Sequence, residues 1–463
     1  MSSSGGEKKV NLWSSILFTI CSILVLDTFV APAIIGVSSI TVWVVTTIVF
    51  FIPYGLLSAE LGSTYPDDGG MYVWIKKAFG NFWGVLNGWF YWVNVAFWMP
   101  AVFVAFSSWF SYAFFPSLGQ TNPTLANIIM AILAILMCWL VVYIGIRGVE
   151  LSMVVTNIAG VLKMAVIVIF GLLGIAYVIK YGSANKFTPS AFIPSFGNTT
   201  QYIAAIMYNL LGFELIGTIG SKIKDPEKTI PKMTIVSGAI ISGLYIFGTF
   251  GVLVALPSSE ITEADGFYMA LERLCTVCGP LQKPVFYIVI VVAMLTLVSN
   301  MVSWTLGANQ VMVASKIDQR VKMLSGRSKK YGTPSALYII MGIVSSILIT
   351  LNFSLSGNAN EVFWIIFSFS LIIFMIPYLF MFPAVAILRK KDPQTKRIYK
   401  IPGGNFGLYL TVFLTEGCML LSLYFMIKDA GSALALWTFG IGTLITTLMG
   451  IWIYYKGRTL DKE

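Results

Sequence analysis

The chain has 463 residues, of which 57% are hydrophobic and 14% aromatic, while only 11% are charged. A water-soluble protein of this length could not bury so much apolar surface, so the composition excludes a soluble fold. The formal net charge of +10 does not indicate a nucleic-acid partner, because the Lys and Arg residues lie in short clusters between apolar runs. Five cysteines and no histidine provide neither a disulfide framework nor a complete zinc site.

Apolar runs of about 20 residues recur along the chain, and each is long enough to cross a bilayer core of about 30 Å. They predict an all-α polytopic membrane protein with twelve spans. The spans lie near residues 13–37, 40–61, 83–115, 124–146, 150–179, 198–221, 233–256, 282–312, 334–352, 359–384, 405–427 and 432–455.

The positions of the basic residues predict the orientation of the chain. If the N-terminus is cytoplasmic, 24 of the 30 Lys and Arg residues lie on the inner side and five on the outer side. The positive-inside rule then places both termini in the cytoplasm, and the short connections favour the inner (cytoplasmic) membrane of a bacterium. We expect two non-spanning helices, an inner one in "TYPDDGGMYVWIKKAFG" and an outer one in "PSSEITEADGFYMALERL", where a plain loop is the alternative.

Helix-breaking residues interrupt the first and the sixth predicted span. Span 1 holds Pro32 in the run "ILVLDTFVAPAIIG", and span 6 holds three glycines around Glu214 in "LLGFELIGTIGSK". A single break commonly means only a kink, but each of these breaks lies near a carboxylate, Asp27 or Glu214. Two interrupted spans five apart predict an inverted repeat of five helices, with the substrate site at the two breaks.

The two acids indicate the charge of the predicted substrate. An ionised side chain at mid-membrane costs roughly 2.5–3.5 kcal/mol on insertion scales, so it usually faces the bundle interior and serves a pathway. Alternatively, each acid pairs with a buried base or with backbone donors, and Lys163 could partner one acid but not easily both. Net negative charge then remains near the two breaks, which suits a cationic substrate or a proton.

Two stretches resemble the amino acid–polyamine–organocation transporter superfamily. They are "FFIPYGLLSAELGSTYPDDGGMYVWIKKAFG", which covers helix 2 and the inner helix, and "GFELIGTIGSKIKDPEKTIPK", which covers helix 6 and its exit. The resemblance implies a leucine-transporter-type fold, with ten core helices in two inverted halves, two peripheral helices and alternating access. The predicted parts are a cytoplasmic tail (1–12), a transport core (13–384) with repeats near 13–179 and 198–384, a cytoplasmic loop (385–404), helices 11 and 12 (405–455) and a second cytoplasmic tail (456–463).

The resemblance also assigns roles to individual residues. Amino acid members of the superfamily have a glycine-rich helix 1 break whose N–H groups hold a carboxylate, whereas this chain has Ala31, Pro32 and Ala33 there. Proline has no N–H to offer, and we expect Pro32 to end the first half-helix. Glu214 matches a glutamate of the arginine/agmatine and glutamate/γ-aminobutyrate exchangers. Lys163 matches a lysine that takes the sodium position in sodium-independent relatives, while a lysine snorkelling to the interface is the alternative.

Aromatic and polar side chains complete the predicted amine site. Cations bind over aromatic faces, although most rings in a chain this aromatic face lipid or fill the core. Asn94 and Asn300 are mid-span polar residues that either line the path or bond between helices. The candidate substrate contacts are Trp98, Tyr208, Phe213, Trp304 and Trp364, together with Ser299.

These features favour a sodium-independent secondary transporter that exchanges cationic amines of the agmatine or putrescine type. The alternative in the same superfamily is an amino acid transporter or an amino acid/amine antiporter, with or without proton coupling. An enzyme is disfavoured because the sequence offers no metal cluster, no nucleophile with a base and no histidine, and a channel would need a filter or charged rings. The expected partners are the substrate and the lipid bilayer, without nucleic acid or cofactor, and the sequence leaves a homodimer open.

Overall fold

The computed structural model describes residues 9–26, 29–262, 266–354, 357–428 and 430–460. Within these ranges, only the backbone of residues 196–201, 204, 357–362 and 364 is described. The described chain consists of helices and their connections, apart from one isolated β-bridge.

Ten helical segments of the described chain are long and apolar enough to cross a membrane. Helices form here because a bilayer offers no water partner to backbone N–H and C=O groups, which must therefore bond within the segment. The longer helices are α1 (Leu12–Ile23), α2 (Ser38–Thr64), α3 (Met71–Phe79), α4 (Asn81–Phe114), α5 (Pro123–Arg147), α6 (Val149–Tyr181), α7 (Phe196–Asn209), α8 (Pro226–Ala255), α9 (Gly266–Cys275), α10 (Gln282–Ala314), α11 (Ser335–Asn352), α12 (Gly357–Lys391), α13 (Gly404–Lys428) and α14 (Ala433–Lys456).

The first predicted span is divided into two short helices. Helix α1 ends at Ile23, Leu24 is extended, and a first 3₁₀ helix follows at Ala31–Ile35. The expectation that Pro32 ends the first half-helix is wrong, because the chain leaves the helix eight residues earlier and Pro32 lies in the first turn of the second piece. Proline fits that position because an N–H in the first turn has no partner within the helix.

The sixth predicted span is also divided, as its glycines predict. Helix α7 ends at Asn209, and a second 3₁₀ helix occupies Phe213–Lys222. Between them Gly212 has φ +133°, a backbone conformation that is open to glycine and strained for other residues. Glu214 is therefore the second residue of the new helix, directly after the break.

The two broken segments lie at the centre of the helix packing. Helix α1 packs against α6, α8 and α10, while α4 packs against α10 and α12. At the predicted inner face, the Val10 N–H donates to the Lys222 carbonyl at 2.8 Å and the Lys224 N–H donates to the Val10 carbonyl at 2.9 Å. This short parallel bridge joins the start of α1 to the end of the second 3₁₀ helix.

Helices α13 and α14 are peripheral. In the most apolar 18-residue stretch of each helix, only 22% of the residues are buried within the chain, compared with 78% in α4. The two predicted non-spanning helices are present as α3 and α9, and α9 buries one face, so the plain-loop alternative for the outer stretch is excluded. The inverted repeat, the twelve-span count and the orientation stay predictions.

Gly160 generates a prediction about the contact between α1 and α6. A Cβ atom at Gly160 would lie 2.5 Å from the backbone oxygen of Leu17. Small residues allow such close helix contacts in membranes, and overpacking costs about 1–3 kcal/mol. We expect Gly160→Ala to lower the midpoint of thermal unfolding in detergent by several degrees. The control is Gly243→Ala on α8, where an added Cβ would meet no atom within 4 Å; equal midpoints for the two variants would contradict the prediction.

Candidate substrate site

A buried lysine holds the end of α1. The Lys163 side chain of α6 is 0% exposed, and its Nζ donates to the carbonyl oxygens of Cys21, at 2.6 Å, and Leu24. These carbonyl groups have lost their helical partners because α1 ends at Ile23. The position excludes a lysine that snorkels to the interface. Whether the ammonium replaces a sodium ion stays a prediction.

Three further side chains bind the same turn. Asn300 of α10 donates from Nδ2 to the Ser22 carbonyl at 2.9 Å, and the Trp304 Nε1 donates to the same oxygen at 3.0 Å. The Tyr245 hydroxyl of α8 donates to the Ile23 carbonyl at 2.6 Å. Together with the two lysine contacts, four consecutive carbonyl groups at the end of α1 have a donor.

The second break carries a buried carboxylate. Glu214 is 0% exposed and accepts hydrogen bonds from three tyrosine hydroxyls. Tyr91 of α4 and Tyr378 of α12 donate to Oε1 at 2.8 and 2.9 Å, and Tyr54 of α2 donates to Oε2. An ionised carboxylate accepts at both oxygens, so it can satisfy all three phenols at once.

Tyr54 also binds the backbone of the second break. Its hydroxyl oxygen accepts the N–H groups of Gly212 and Phe213 at 2.9 and 2.8 Å. Both lone pairs of this oxygen are therefore occupied, and its single proton points to Glu214. One phenol thus caps the new 3₁₀ helix and fixes the carboxylate that follows it.

Two of the three tyrosines share a sequence signal. The tripeptide Ile-Pro-Tyr ends at Tyr54 in α2 and again at Tyr378 in α12. The first copy of the tripeptide begins at Ile52, directly after a π-helical turn at Thr47–Phe51, and π turns occur often at functional sites. Neither tyrosine is among the predicted contacts, although the repeated tripeptide inside two apolar spans was an available signal.

The three tyrosines that donate to Glu214 form a tyrosine cage. Four other aromatic rings form a closed box next to this cage. Each ring contacts two others edge to face, with centroids 5.4–5.7 Å apart. The four belong to α4, α7, α10 and α12, so the box joins elements from across the bundle. The rings of Tyr91 and Tyr378 pack against the ring of Phe374, with centroid distances of 5.7 and 5.0 Å, and so connect the box to Glu214. The members of the aromatic box are Trp98, Tyr208, Trp304 and Phe374.

Three of the four box members are predicted substrate contacts, and two other predictions lie elsewhere. Phe213 stacks on Phe51 of α2, with ring centroids 4.6 Å apart, and does not join the box. The Ser299 hydroxyl donates to the Leu295 carbonyl of its own helix at 3.0 Å. Phe374 was missed because a phenylalanine in an apolar span carries no polar signal.

The remaining predicted contacts belong to the first break. Pro32 and Ala33 are buried in the first 3₁₀ helix, Ala31 is partly exposed, and the Ala33 N–H donates to the Val30 carbonyl at 2.9 Å. Neither Pro32 nor Ala33 therefore offers an N–H to a ligand carboxylate. Two predicted contacts fall outside the description, namely the whole of Asp27 and the side chain of Trp364.

Asn94 adds a polar group to the aromatic surface. It lies three residues after Tyr91 and four before Trp98, so the three share one face of α4. The side chain is 0% exposed, and neither its amide oxygen nor its amide nitrogen has a hydrogen-bond partner in the described chain. Such buried groups are rare, and one beside a binding surface is suited to a polar ligand.

An ion pair fixes α2 against α12 at the predicted inner face. Arg389 donates from Nε to Glu60 Oε1 at 2.7 Å, and Arg397 Nε lies 3.8 Å from the same oxygen. Glu60 Oε2 also accepts the Ile401 N–H at 2.8 Å. The pair sets the relative position of the two helices that carry the Ile-Pro-Tyr tyrosines.

A helical membrane protein whose two broken helices meet a buried carboxylate and an aromatic surface has the architecture of a secondary transporter. A family model described as amino acid permease matches residues 10–446. The chain therefore belongs to this family of the amino acid–polyamine–organocation superfamily, whose members are membrane transporters and not enzymes.

Curated relatives agree with the family. A probable agmatine/putrescine antiporter of Lactococcus lactis is 33% identical over 427 residues, which cover 91% of this chain and 88% of the relative. A probable polyamine transporter of Arabidopsis thaliana is 24% identical over 80% of this chain and 69% of its own length. A serine/threonine exchanger of Bacillus subtilis is 26% identical, with 75% and 74% covered.

The two Ile-Pro-Tyr tyrosines make a matched pair for a stability test. Phenylalanine at Tyr378 removes one donor to Glu214, whereas phenylalanine at Tyr54 also leaves the Gly212 and Phe213 N–H groups without an acceptor. A buried unsatisfied polar group costs about 1–3 kcal/mol. We expect Tyr54→Phe to lower the midpoint of thermal unfolding in detergent clearly more than Tyr378→Phe does. An equal or larger effect of Tyr378→Phe would contradict the assigned capping role of Tyr54.

Proposed function

We propose that the protein exchanges cationic amines of the agmatine or putrescine type by alternating access, without sodium. One observation carries the proposal: the buried carboxylate of Glu214 lies beside a box of four aromatic rings. An alkyl amine combines an ammonium, which a carboxylate attracts, with a chain that packs on rings. Cation–π contacts add about 0.5–2 kcal/mol where the ammonium is desolvated.

The tyrosine cage explains how Glu214 is stable without substrate. Three phenol protons satisfy the carboxylate while the site is closed. An entering ammonium would replace a phenol at Oε1, where Tyr91 and Tyr378 both donate. The box rings, now packed edge to face, would separate to admit the alkyl chain, and the Asn94 amide would bind the polar group at its far end.

Asp27 is assigned to the other break. In sequence it follows the end of α1 by four residues, and it supplies a second negative charge near the first break. A dication between Asp27 and Glu214 would neutralise both acids, so that the loaded site can be desolvated. Without substrate, the two charged acids would have to be closed off from water as the transporter changes conformation. This costs free energy, so the empty transporter would switch less readily, which favours exchange over net leak.

The alternative substrate, a zwitterionic amino acid, needs donors for its carboxylate. Pro32 has no N–H, and the Ala33 N–H is already used by Val30 within the first 3₁₀ helix. The Lactococcus relative is named as a probable agmatine/putrescine antiporter, whereas the Bacillus relative is named as a serine/threonine exchanger. The local chemistry therefore favours the amine.

We further propose twelve spans, two inverted five-helix repeats and cytoplasmic termini in a bacterial inner membrane.

Replacing Glu214 tests this proposal. Glu214→Gln keeps the shape of the side chain but removes the charge that an ammonium would pair with. Removing one partner of a buried charge pair costs about 3–5 kcal/mol, which corresponds to roughly a 200-fold loss or more. We expect putrescine exchange, measured with labelled substrate in preloaded proteoliposomes, to fall at least about 100-fold. Asp27→Asn should also reduce exchange strongly.

The matched control for this test is Glu272→Gln. Glu272 lies on the exposed side of α9, and we expect its variant to exchange at the wild-type rate. Size-exclusion profiles and unfolding midpoints establish that each variant is folded. Wild-type exchange of putrescine by folded Glu214→Gln would overturn the proposed role of this carboxylate.

A further inference from the structure

A second membrane glutamate lies outside the candidate substrate site. Glu416 is the middle residue of α13, with twelve residues on either side in a helix of 25. At about 1.5 Å per residue it is roughly 18 Å from each end of the helix, so it lies near the centre of a bilayer about 30 Å thick. The most apolar 18-residue stretch of the span has a mean hydropathy of 1.8, and an acid in such a segment is a candidate functional group.

Glu416 lies at the edge of the buried face of α13. The neighbouring Thr415 is fully buried, while Glu416 itself is partly exposed. Its Oε2 atom is nonetheless inaccessible, and the described chain brings no hydrogen-bond donor to it. The nearby hydroxyls cannot help, because Thr415 donates to the Thr411 carbonyl and Ser422 to the Cys418 carbonyl.

Among the residues that the structure describes, the elements that pack most closely on α13 offer no counter-charge at this depth. They are α2 with its π turn, α7 and α12. The described charged groups lie near the predicted inner ends of their helices, roughly two to three turns from the level of Glu416 by residue count, and Glu60 is paired with Arg389. Two tyrosines on these elements, Tyr54 and Tyr378, donate to Glu214. The titratable side chains described on these elements are Tyr54 and Glu60 on α2, Tyr202 and Tyr208 on α7, and Tyr378 with the basic run 389–391 on α12.

We propose that Glu416 is a proton-binding site in the membrane interior, separate from Glu214. A neutral acid avoids the penalty of an unpaired charge at mid-bilayer, so the packed state carries the proton. Helix α7 is half of a broken span, and it packs against α13. A movement of α7 that admits water beside α13 would let Glu416 release its proton, which links proton occupancy to the conformation of the transporter.

Carbodiimide labelling tests the bound proton without any substrate. The membrane-permeant N,N′-dicyclohexylcarbodiimide reacts with protonated carboxyl groups: the acid O–H adds across one C=N bond, and the acyl group then shifts to nitrogen to give a stable N-acylurea. The reaction is an addition, so it needs no other reagent and has no leaving group. A glutamate with a pKa near 4.3 is protonated in only about one molecule in 500 at pH 7, so strong labelling at that pH identifies a proton-holding acid.

The experiment uses the full-length protein in liposomes, with mass spectrometry of the peptide that contains residue 416. We expect labelling at pH 7 that fades at alkaline pH, is abolished in Glu416→Gln and persists in both Glu214→Gln and Glu272→Gln. Absence of labelling on Glu416 from pH 5.5 to 9 would overturn the proposal. Labelling to the same extent by a water-soluble carbodiimide would also overturn it, because the group would then be exposed to water.

A second measurement tests the link to movement. Wild-type putrescine exchange should slow at alkaline pH, where Glu416 loses its proton and an ionised acid opposes the packed state. Glu416→Gln cannot ionise, so its exchange should not show that decline. Identical pH profiles for the two proteins would refute the link. A failure of the exchange assay itself would concern the proposed substrate, while the labelling result would stand independently.

Discussion

Two breaks in helices inside a membrane impose the constraint on which the rest of this structure depends. Each break frees backbone polar groups where a bilayer supplies no water to bind them. At the first break the freed groups are carbonyls at the end of α1, and the donors come from Lys163, Asn300, Trp304 and Tyr245. At the second break the N–H groups at the start of the second 3₁₀ helix are freed as well, and the Tyr54 hydroxyl accepts two of them. The end of a helix leaves free carbonyl groups, which need donors, whereas the start of a helix leaves free N–H groups, which need acceptors.

The same caps also form the candidate substrate site. Trp304 donates to the end of α1 through its indole nitrogen, and its ring is one wall of the aromatic box. Tyr54 caps the second 3₁₀ helix and directs its proton to Glu214. A ligand that displaces a ring or a phenol would therefore disturb the support of a helix end. Under the proposed function, these few side chains would connect substrate binding to helix movement.

The sequence predicted the class of fold and the location of the second break, because apolar length and glycine position act locally. It also brought Trp98, Tyr208 and Trp304 into one candidate set, and they lie together. The predicted end of α1 at Pro32 is wrong, because the helix ends where donors from other helices reach its carbonyls. Those donors are distant from α1 in sequence, so no local sequence pattern predicts them.

The tyrosine cage shows the same limit. Glu214 stood out as an acid in an apolar span, but its three partners come from α2, α4 and α12, which meet only in the folded bundle. The repeated Ile-Pro-Tyr tripeptide was a usable signal for two of them. Glu416 was missed, although an acid in an apolar span was an available signal, and only the folded chain shows that its Oε2 atom has no partner among the described residues.

Substrate competition tests the central claim, an amine-selective site, most directly. Proteoliposomes preloaded with putrescine would take up labelled putrescine and agmatine in the presence of excess arginine, glutamate, serine or alanine. The proposed site predicts fast exchange that other diamines inhibit and that these amino acids leave nearly unchanged. Strong inhibition by one of the amino acids would contradict it, because the first break would then bind a carboxylate despite Pro32.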